Sequence, residues 1–382
     1  MIKSAVRILV LVGVVSALVL TSVGCAPTTP TTPTTPTTPT SPTTPTTPTT
    51  PSQPSTQTVK WVQATPWVAA ELGFQGIELR NEILKNMSGG RFVIESHPSG
   101  ALMGAEDVFD ATHDGTIDAF NATLHTFIGK IPASPMFAAM PLGLKRDEYQ
   151  AWYDYYGGKD LLMEMLQPYN FGYAQPVVVQ TPEGLCWSNV KLDNLAAWKG
   201  LKFRTKGIWA NILQNPQVGA AVTTLSSSEL YSALERGILD ALEYSTPGSD
   251  LPLGFYEVTK YLMVPGFHQP ATVLSDVVNK DSWNKLPADM KAMYDAANRA
   301  ASVQWYGKYV LADAEALAFY AALPNLEIVV CPADLQKTFA GFADQEYAKN
   351  AAADPFFKKV YDSQREFKAQ YDFFSGYQSM DF

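Results

Sequence analysis

Between Ala288 and Ala322 the sequence contains no proline and a single glycine, Gly307. A run of about 35 residues free of breakers reads as helix, roughly 50 Å long at 1.5 Å per residue. A small domain is only about 30 Å across, so a helix of this length outruns one lobe. The pattern extends from Trp283 to Leu323 at its widest. Around it, strand and helix signals alternate, which is the mark of an α/β protein. Lys60–Ala64 reads as a first strand and Pro66–Met87 as a helix stopped by Ser88-Gly89-Gly90. Arg91–Ser96 alternates as the next strand. Glu106–His113 is expected to be a short helix and Gly115–Phe120 the strand after it. Further on, Asp147–Gln167 reads as an aromatic-rich helix, Asn325–Cys331 as a strand and Asp334–Gln370 as more helix.

The N-terminal region is of another kind. Lys3 and Arg7 precede an apolar run, Ile8–Leu20, that is short for a membrane span. Ser22-Val23-Gly24-Cys25 then resembles a bacterial lipoprotein cleavage site, with Ser22 where leucine is usual. Residues 1–24 are therefore expected to be a signal peptide and Cys25 the lipidated residue; secretion with a nearby cut, or an uncleaved anchor, competes. Residues 25–56 are mostly a Thr-Thr-Pro repeat without charge or large apolar groups, so they form an unfolded tether. An extended chain of that composition reaches up to ~90 Å at about 3.1 Å per residue.

Composition narrows the class. Of 382 residues, 28 are basic and 37 acidic, and no basic run occurs, which argues against nucleic acid as a partner. The histidines, His97, His113, His125 and His268, show no HExxH or HxH spacing. Neither a Gly-x-Ser-x-Gly elbow nor a phosphate loop is present. An enzyme is not expected. Cys186 and Cys331 either pair outside the cell or stay as buried thiols.

One stretch, residues 199–270, carries the chemistry. Gly200-Leu201-Lys202-Phe203-Arg204 reads as a short strand ending in Arg204. A guanidinium fixed there can take a carboxylate through two parallel hydrogen bonds, although most strand arginines are surface charges or ion-pair partners. A helix follows, capped by Ser226, Ser227 or Ser228, with Leu230, Leu234 and Ile238 at four-residue spacing. Gly237 stops it and a strand leads to Glu243. Asn121 lies at the carboxyl end of an earlier strand, where open α/β sheets place ligands.

Three segments together resemble the solute-binding receptors of tripartite ATP-independent periplasmic (TRAP) transporters, in the branch that binds small monocarboxylates. They are Gly200–Arg204, Glu229–Gly237 with Asp240–Glu243, and Gly254–Pro270. The likeness covers roughly residues 58 to 370. It implies a two-lobed, periplasmic-binding-protein-like α/β fold with discontinuous lobes and a long spine helix. Lobe I would be 57–180 with 271–305, and lobe II 181–270 with 306–382. It implies capture of a 2-oxo or 2-hydroxy monocarboxylate for membrane permease subunits, on the outer side of a membrane and held there by the lipid anchor. Arg204 would clamp the carboxylate, with Trp67, Trp187, Asn121, Phe267 and His268 around the ligand; for Trp67, packing into the core is the competing reading. Glu243 and the Tyr244 carbonyl would hold a calcium or sodium ion. Glu183 stands four residues before Trp187, where relatives carry glutamine, and would be a further metal contact or else an exposed loop residue. No organic cofactor is implied, and the aromatic-rich C-terminus could dock a second copy. A stalked adhesion or glycan-binding protein is the alternative, since it would share the anchor and tether.

Overall fold

The computed structural model describes residues 56–377, Ser226 excepted. The signal-like segment, Cys25, the tether up to Ser55, the candidate cap Ser226 and residues 378–382 lie outside that description. The chain begins with β1 (Val59–Ala64), α1 (Leu72–Met87), β2 (Phe92–His97), α2 (Val108–His113) and β3 (Ala119–Thr123). It continues through α3 (Arg146–Tyr155), α4 (Gly158–Leu166) and β4 (Phe171–Val179). A run of shorter pieces follows: β5 (Cys186–Ser188), β6 (Lys202–Arg204), α5 (Gly207–Leu213), β7 (Ala221–Thr223), α6 (Leu230–Glu235), β8 (Ala241–Leu242), α7 (Pro247–Asp250), α8 (Phe255–Val258) and β9 (Tyr261–Val264). The last part is β10 (Val273–Asn279), α9 (Lys280–Asn284), α10 (Ala288–Ala321), β11 (Glu327–Val330), α11 (Ala333–Ala353) and α12 (Pro355–Ser375).

Two sheets result. The first has the order β2-β1-β3-β10-β4, and the second β11-β9-β5-β8-β6-β7. In the first, β1 pairs parallel with β2 and β3, while β10 runs antiparallel to β3 and β4. Every residue of β10 is buried, as a strand covered on both faces requires. The chain leaves the first sheet after β4, builds β5–β9 of the second, and returns for β10. It then crosses again along α10 to add β11. Each sheet is therefore assembled from separated segments.

The long helix is what joins them. Tyr294 and Ala297 of α10 pack with Trp61 and Phe92 under the first sheet. Ala316 and Tyr320, about five turns further on, pack with Trp187, Leu234 and Leu242 under the second. Between these ends, Gln180 Nε2 donates to Tyr309 Oη (2.7 Å), and Asp313 accepts from the Thr181 hydroxyl and from Gly248 N–H. One helix thus serves both cores and fixes the crossing segments between them.

Some elements differ from the sequence reading. The first helix begins at Leu72, not Pro66, because residues 65–71 are folded as a turn. Glu71 N–H donates to the Val68 carbonyl (3.0 Å), and Val68 N–H donates back to Glu71 Oε1 (3.5 Å). The single helix expected over 147–167 is two, broken where Gly157 adopts φ 82°. Lys280–Asn284 is a separate helix from α10, with Pro287 at the cap between them. Ile238 lies beyond the Gly237 stop and is exposed, so it does not extend the apolar face of α6. The serine cap gives way to a 3-10 turn, Ser227–Glu229, with Glu229 at the N-cap. Cys186 and Cys331 are both buried free thiols. Among the described residues no helix is long and apolar enough to cross a membrane.

Candidate functional site

A cavity of about 110 Å³ opens where the carboxyl ends of several strands converge. Its walls come from the turn after β1 (Trp67, Glu71), the segment after β3 (Thr123, His125), the chain after β4 (Gln180, Glu183), and the ends of β6 and β8 (Arg204, Glu243, Tyr244). Gln269 and Thr272, just ahead of β10, complete it. Both sheets contribute, in keeping with ligand sites at strand carboxyl ends in α/β proteins. The volume is somewhat below the ~150 Å³ of a cavity that holds benzene, so a ligand of about six heavy atoms fits.

Arg204 is the last residue of β6 and is 5% exposed. Its Nη1 donates to the Glu243 carbonyl (2.8 Å) and to Glu243 Oε1 (3.3 Å), across the parallel β6–β8 pairing. Those bonds anchor one edge of the guanidinium. Nε is buried without a hydrogen-bond partner, and no described residue accepts from Nη2. The Nε–Nη2 edge is a fork held by its own strand, with the geometry to take an anion.

Beside it, Glu183, Glu243 and His268 bring their ligating atoms within 4.8 Å of one another, all buried. His268 Nε2 stands 3.4 Å from Glu183 Oε2 and 3.7 Å from Glu243 Oε2, at ion-pair range and too long for tight hydrogen bonds. Burial pulls the imidazole pKa down, but the two carboxylates outweigh it and hold the group up at about 9. Burial raises Glu183 to about 7 despite the pull of His268. Glu243 is held below the usual carboxylate range, because His268 and Arg204 overcome the penalty of burial. Glycine makes this approach possible. Gly266 bridges backbone to backbone with Glu183, and a Cβ there would lie 2.0 Å from the Glu183 carbonyl oxygen. No larger residue could carry His268 so close to the two acids.

Glu183 Oε2 is buried without a hydrogen-bond partner. Buried polar atoms are almost always satisfied, so this oxygen marks a place for a ligand to complete. Carboxylate oxygens beside the Tyr244 backbone suit a hard cation such as calcium or sodium. His268, at their rear, suits the role of a group that orients the carboxylates.

Of the other expected site residues, Trp67 lines the cavity, its Nε1 donating to Asn121 Oδ1 (3.2 Å). Asn121 is fully buried behind it and donates to Asp276 Oδ1 (2.8 Å), which in turn pairs with Arg80 in the interior. Its place is to hold Trp67 rather than to touch a ligand. Trp187 is set back as well. Its Nε1 donates to Asp250 Oδ2 (2.7 Å) and its rings meet Tyr320 edge-on at 5.0 Å, so it belongs to the core beneath the second sheet. Phe267 likewise packs against Trp209 and Phe339, each at 5.8 Å, and does not wall the cavity. Glu183, with Glu243 beside it, is buried and not an exposed loop residue. Glu71 and His125 are cavity residues that sequence reasoning passed over. His125 lies in the turn just after β3, and burial lowers its pKa to about 4, leaving it neutral at pH 7. Glu71 sat inside what read as a regular helix, which gave no reason to choose it.

A family model described as bacterial extracellular solute-binding protein, family 7, matches residues 64–354. A monocarboxylate 2-oxoacid-binding periplasmic protein of a Nostoc species is 27% identical over 318 residues, covering 82% of this chain and 85% of that protein. A TRAP periplasmic solute-binding protein from Colwellia psychrerythraea, solved with calcium and pyruvate, is 27% identical with a TM-score of 0.79, covering 84% of this chain and 97% of that one. Another from Pseudoalteromonas atlantica, solved with sodium and pyruvate, is 26% identical with a TM-score of 0.79, over 85% of this chain and all (100%) of that one.

Proposed function

The chain belongs to the bacterial extracellular solute-binding proteins of family 7, and from that premise we propose that it captures a small 2-oxo or 2-hydroxy monocarboxylate with a calcium or sodium ion and presents it to a TRAP membrane permease. The fold is the two-lobed α/β fold of the TRAP solute-binding proteins. The observation that carries the proposal is Arg204, which lines a cavity of six-heavy-atom size with its Nε–Nη2 edge unpartnered among the described residues. Solved relatives that hold pyruvate with calcium or sodium support the same ligand class, and the alternative of a stalked adhesion or glycan-binding protein gains no support from them.

In this reading Arg204 takes both carboxylate oxygens, which orients the acid and neutralises its charge. Glu183, Glu243 and the Tyr244 carbonyl hold the cation, which supplies a positive site for the ligand's C2 oxygen. Glu243 has two tasks, since its carbonyl and one carboxylate oxygen also brace Arg204. His268 keeps both carboxylates turned toward the cation. His125, neutral at pH 7, and Trp67 close the opposite wall. The residues are arranged for holding, and the function is binding without turnover. Closure would be a hinge motion of lobe I (57–180 with 271–305) on lobe II (181–270 with 306–382), driven by the tighter hold of the closed state on its ligand. Tyr244 Oη donating to Glu71 (2.8 Å) and Lys206 beside Glu106 (3.4 Å) are contacts such closure would make. The proposal includes a lipid on Cys25, with the Thr/Pro stretch as spacer.

The test is calorimetric titration of pyruvate and lactate into residues 57–382, with calcium, with sodium alone, and with neither after chelation. Binding should weaken at least tenfold when both cations are removed and return with calcium. Unchanged affinity without either cation would overturn the cation's part in the proposal.

A further inference from the structure

Two acids of this cavity, Glu71 and Glu106, are used by neither the Arg204 fork nor the cation cluster; Glu106 pairs with Lys206 (3.4 Å), and Glu71 is left. It is 5% exposed, lines the cavity, and forms no ion pair with any described residue. Both hydrogen bonds its carboxylate accepts, from Tyr244 Oη (2.8 Å) and Val68 N–H (3.5 Å), fall on Oε1. No described residue donates to Oε2. Tyr244 also connects it to the clamp: the residue follows Glu243, its ring centroid lies 5.8 Å from the Arg204 guanidinium carbon, and its phenol reaches on to Glu71.

The walls match that acceptor. Gln180, Ser249, Gln269 and Thr272 present polar groups, and the non-polar wall is largely Pro66, Trp67 and Ala105. An aliphatic tail would strip water from Glu71 without replacing its hydrogen bond, and a site built around a buried polar group rejects the analogue that leaves it unpaired. We propose that Glu71 accepts a hydrogen bond from a hydroxyl on the ligand carbon remote from the carboxylate, making this a receptor for short hydroxylated acids in preference to their aliphatic counterparts. A cavity of about 110 Å³ suits acids of three or four carbons. The inference rests on the carboxylate-and-cation reading above and adds the identity of the ligand's other end.

Two pairs of acids differ by that single hydroxyl: glycerate against lactate, and hydroxypyruvate against pyruvate. Calorimetric titration of all four, with calcium present and both enantiomers of the chiral acids, should show the hydroxylated member bound at least tenfold more tightly by the wild type. In Glu71→Met the preference should fall to within about twofold, while lactate and pyruvate keep affinities within about threefold of wild type. Glu71→Gln, which retains one acceptor oxygen, should keep part of the preference and guards against a misfolded Met variant. Equal binding of the pairs by the wild type overturns the inference, as does an equal loss for all four acids in both variants, which would mean Glu71 only braces Tyr244. If none of the four binds the wild type, the carboxylate reading itself fails, a result distinct from either.

Discussion

Replacing Gly266 by alanine tests how closely the acid cluster depends on one backbone approach. The added Cβ would lie 2.0 Å from the Glu183 carbonyl oxygen, 2.6 Å from its carbonyl carbon and 3.1 Å from its Cα. Atoms in a packed interior do not approach within about 3 Å, so one of the two segments must retreat by roughly 1 Å. Overpacking of this kind costs about 1–3 kcal/mol. For a domain of this length each kcal/mol lowers the melting temperature by about 2 °C, giving a fall of roughly 2–6 °C. Binding should suffer more than stability, because ligating groups must be held within about 0.5 Å of their working geometry. The expected result is a calcium affinity reduced more than tenfold, read by calorimetry at a temperature where scanning calorimetry shows the variant folded. Gly341→Ala is the control, since a Cβ there meets nothing within 4 Å and alanine favours the helix. Calcium and pyruvate affinities within twofold of wild type in Gly266→Ala would refute the reasoning.

Other perturbations follow from the same geometry. Burial raises the Glu71 pKa from an ordinary value near 4.5 to about 7, against the hydrogen bonds from Tyr244 and Val68. The stability contributed by its protonated form is complete below pH 4.5 and lost as pH rises through 7. Glu71→Gln, uncharged throughout, should match wild type at pH 4.5 and exceed it at pH 8 by up to about 3 kcal/mol in denaturant unfolding; parallel pH profiles would contradict this. Trp187→Phe removes the donor to Asp250 Oδ2, whose Oδ1 is already buried without a partner. It should cost about 1–3 kcal/mol of stability and leave ligand affinity within about twofold, whereas a large affinity loss with unchanged melting would put Trp187 in the cavity wall after all.

Much of the architecture was legible because it rests on local patterns. The breaker-free run gave α10 to within a residue at each end, since nothing in a 34-residue helix competes with backbone hydrogen bonding. Gly237 stopped α6 as read, with φ 68°. Errors arose where long-range contacts decided the outcome. Pro66 reads as a helix start, yet the loop to Glu71 is held open by bonds to Val68 and to Tyr244, 173 positions away. The same non-locality hid Glu71 from the candidate site. Arg204 and Glu243 stand at strand ends, which the sequence marks, whereas Glu183 was singled out only through the family resemblance; the structure sets all three on one cavity. Trp187 and Phe267 carry no sequence mark that tells a wall from a core. Their burial depends on Asp250, Tyr320, Trp209 and Phe339, contributed by other elements.

The most direct test of the central claim is calorimetric titration of pyruvate, in calcium, into the wild type and into Arg204→Lys. Lysine keeps the charge beside Glu243 but presents a point charge in place of the planar Nε–Nη2 fork. The account expects saturable one-to-one binding by the wild type, and at least a tenfold loss in Arg204→Lys with its melting temperature within a few degrees of wild type. Equal affinity in the two proteins would show that Arg204 does not hold the carboxylate, and the site would have to be sought elsewhere.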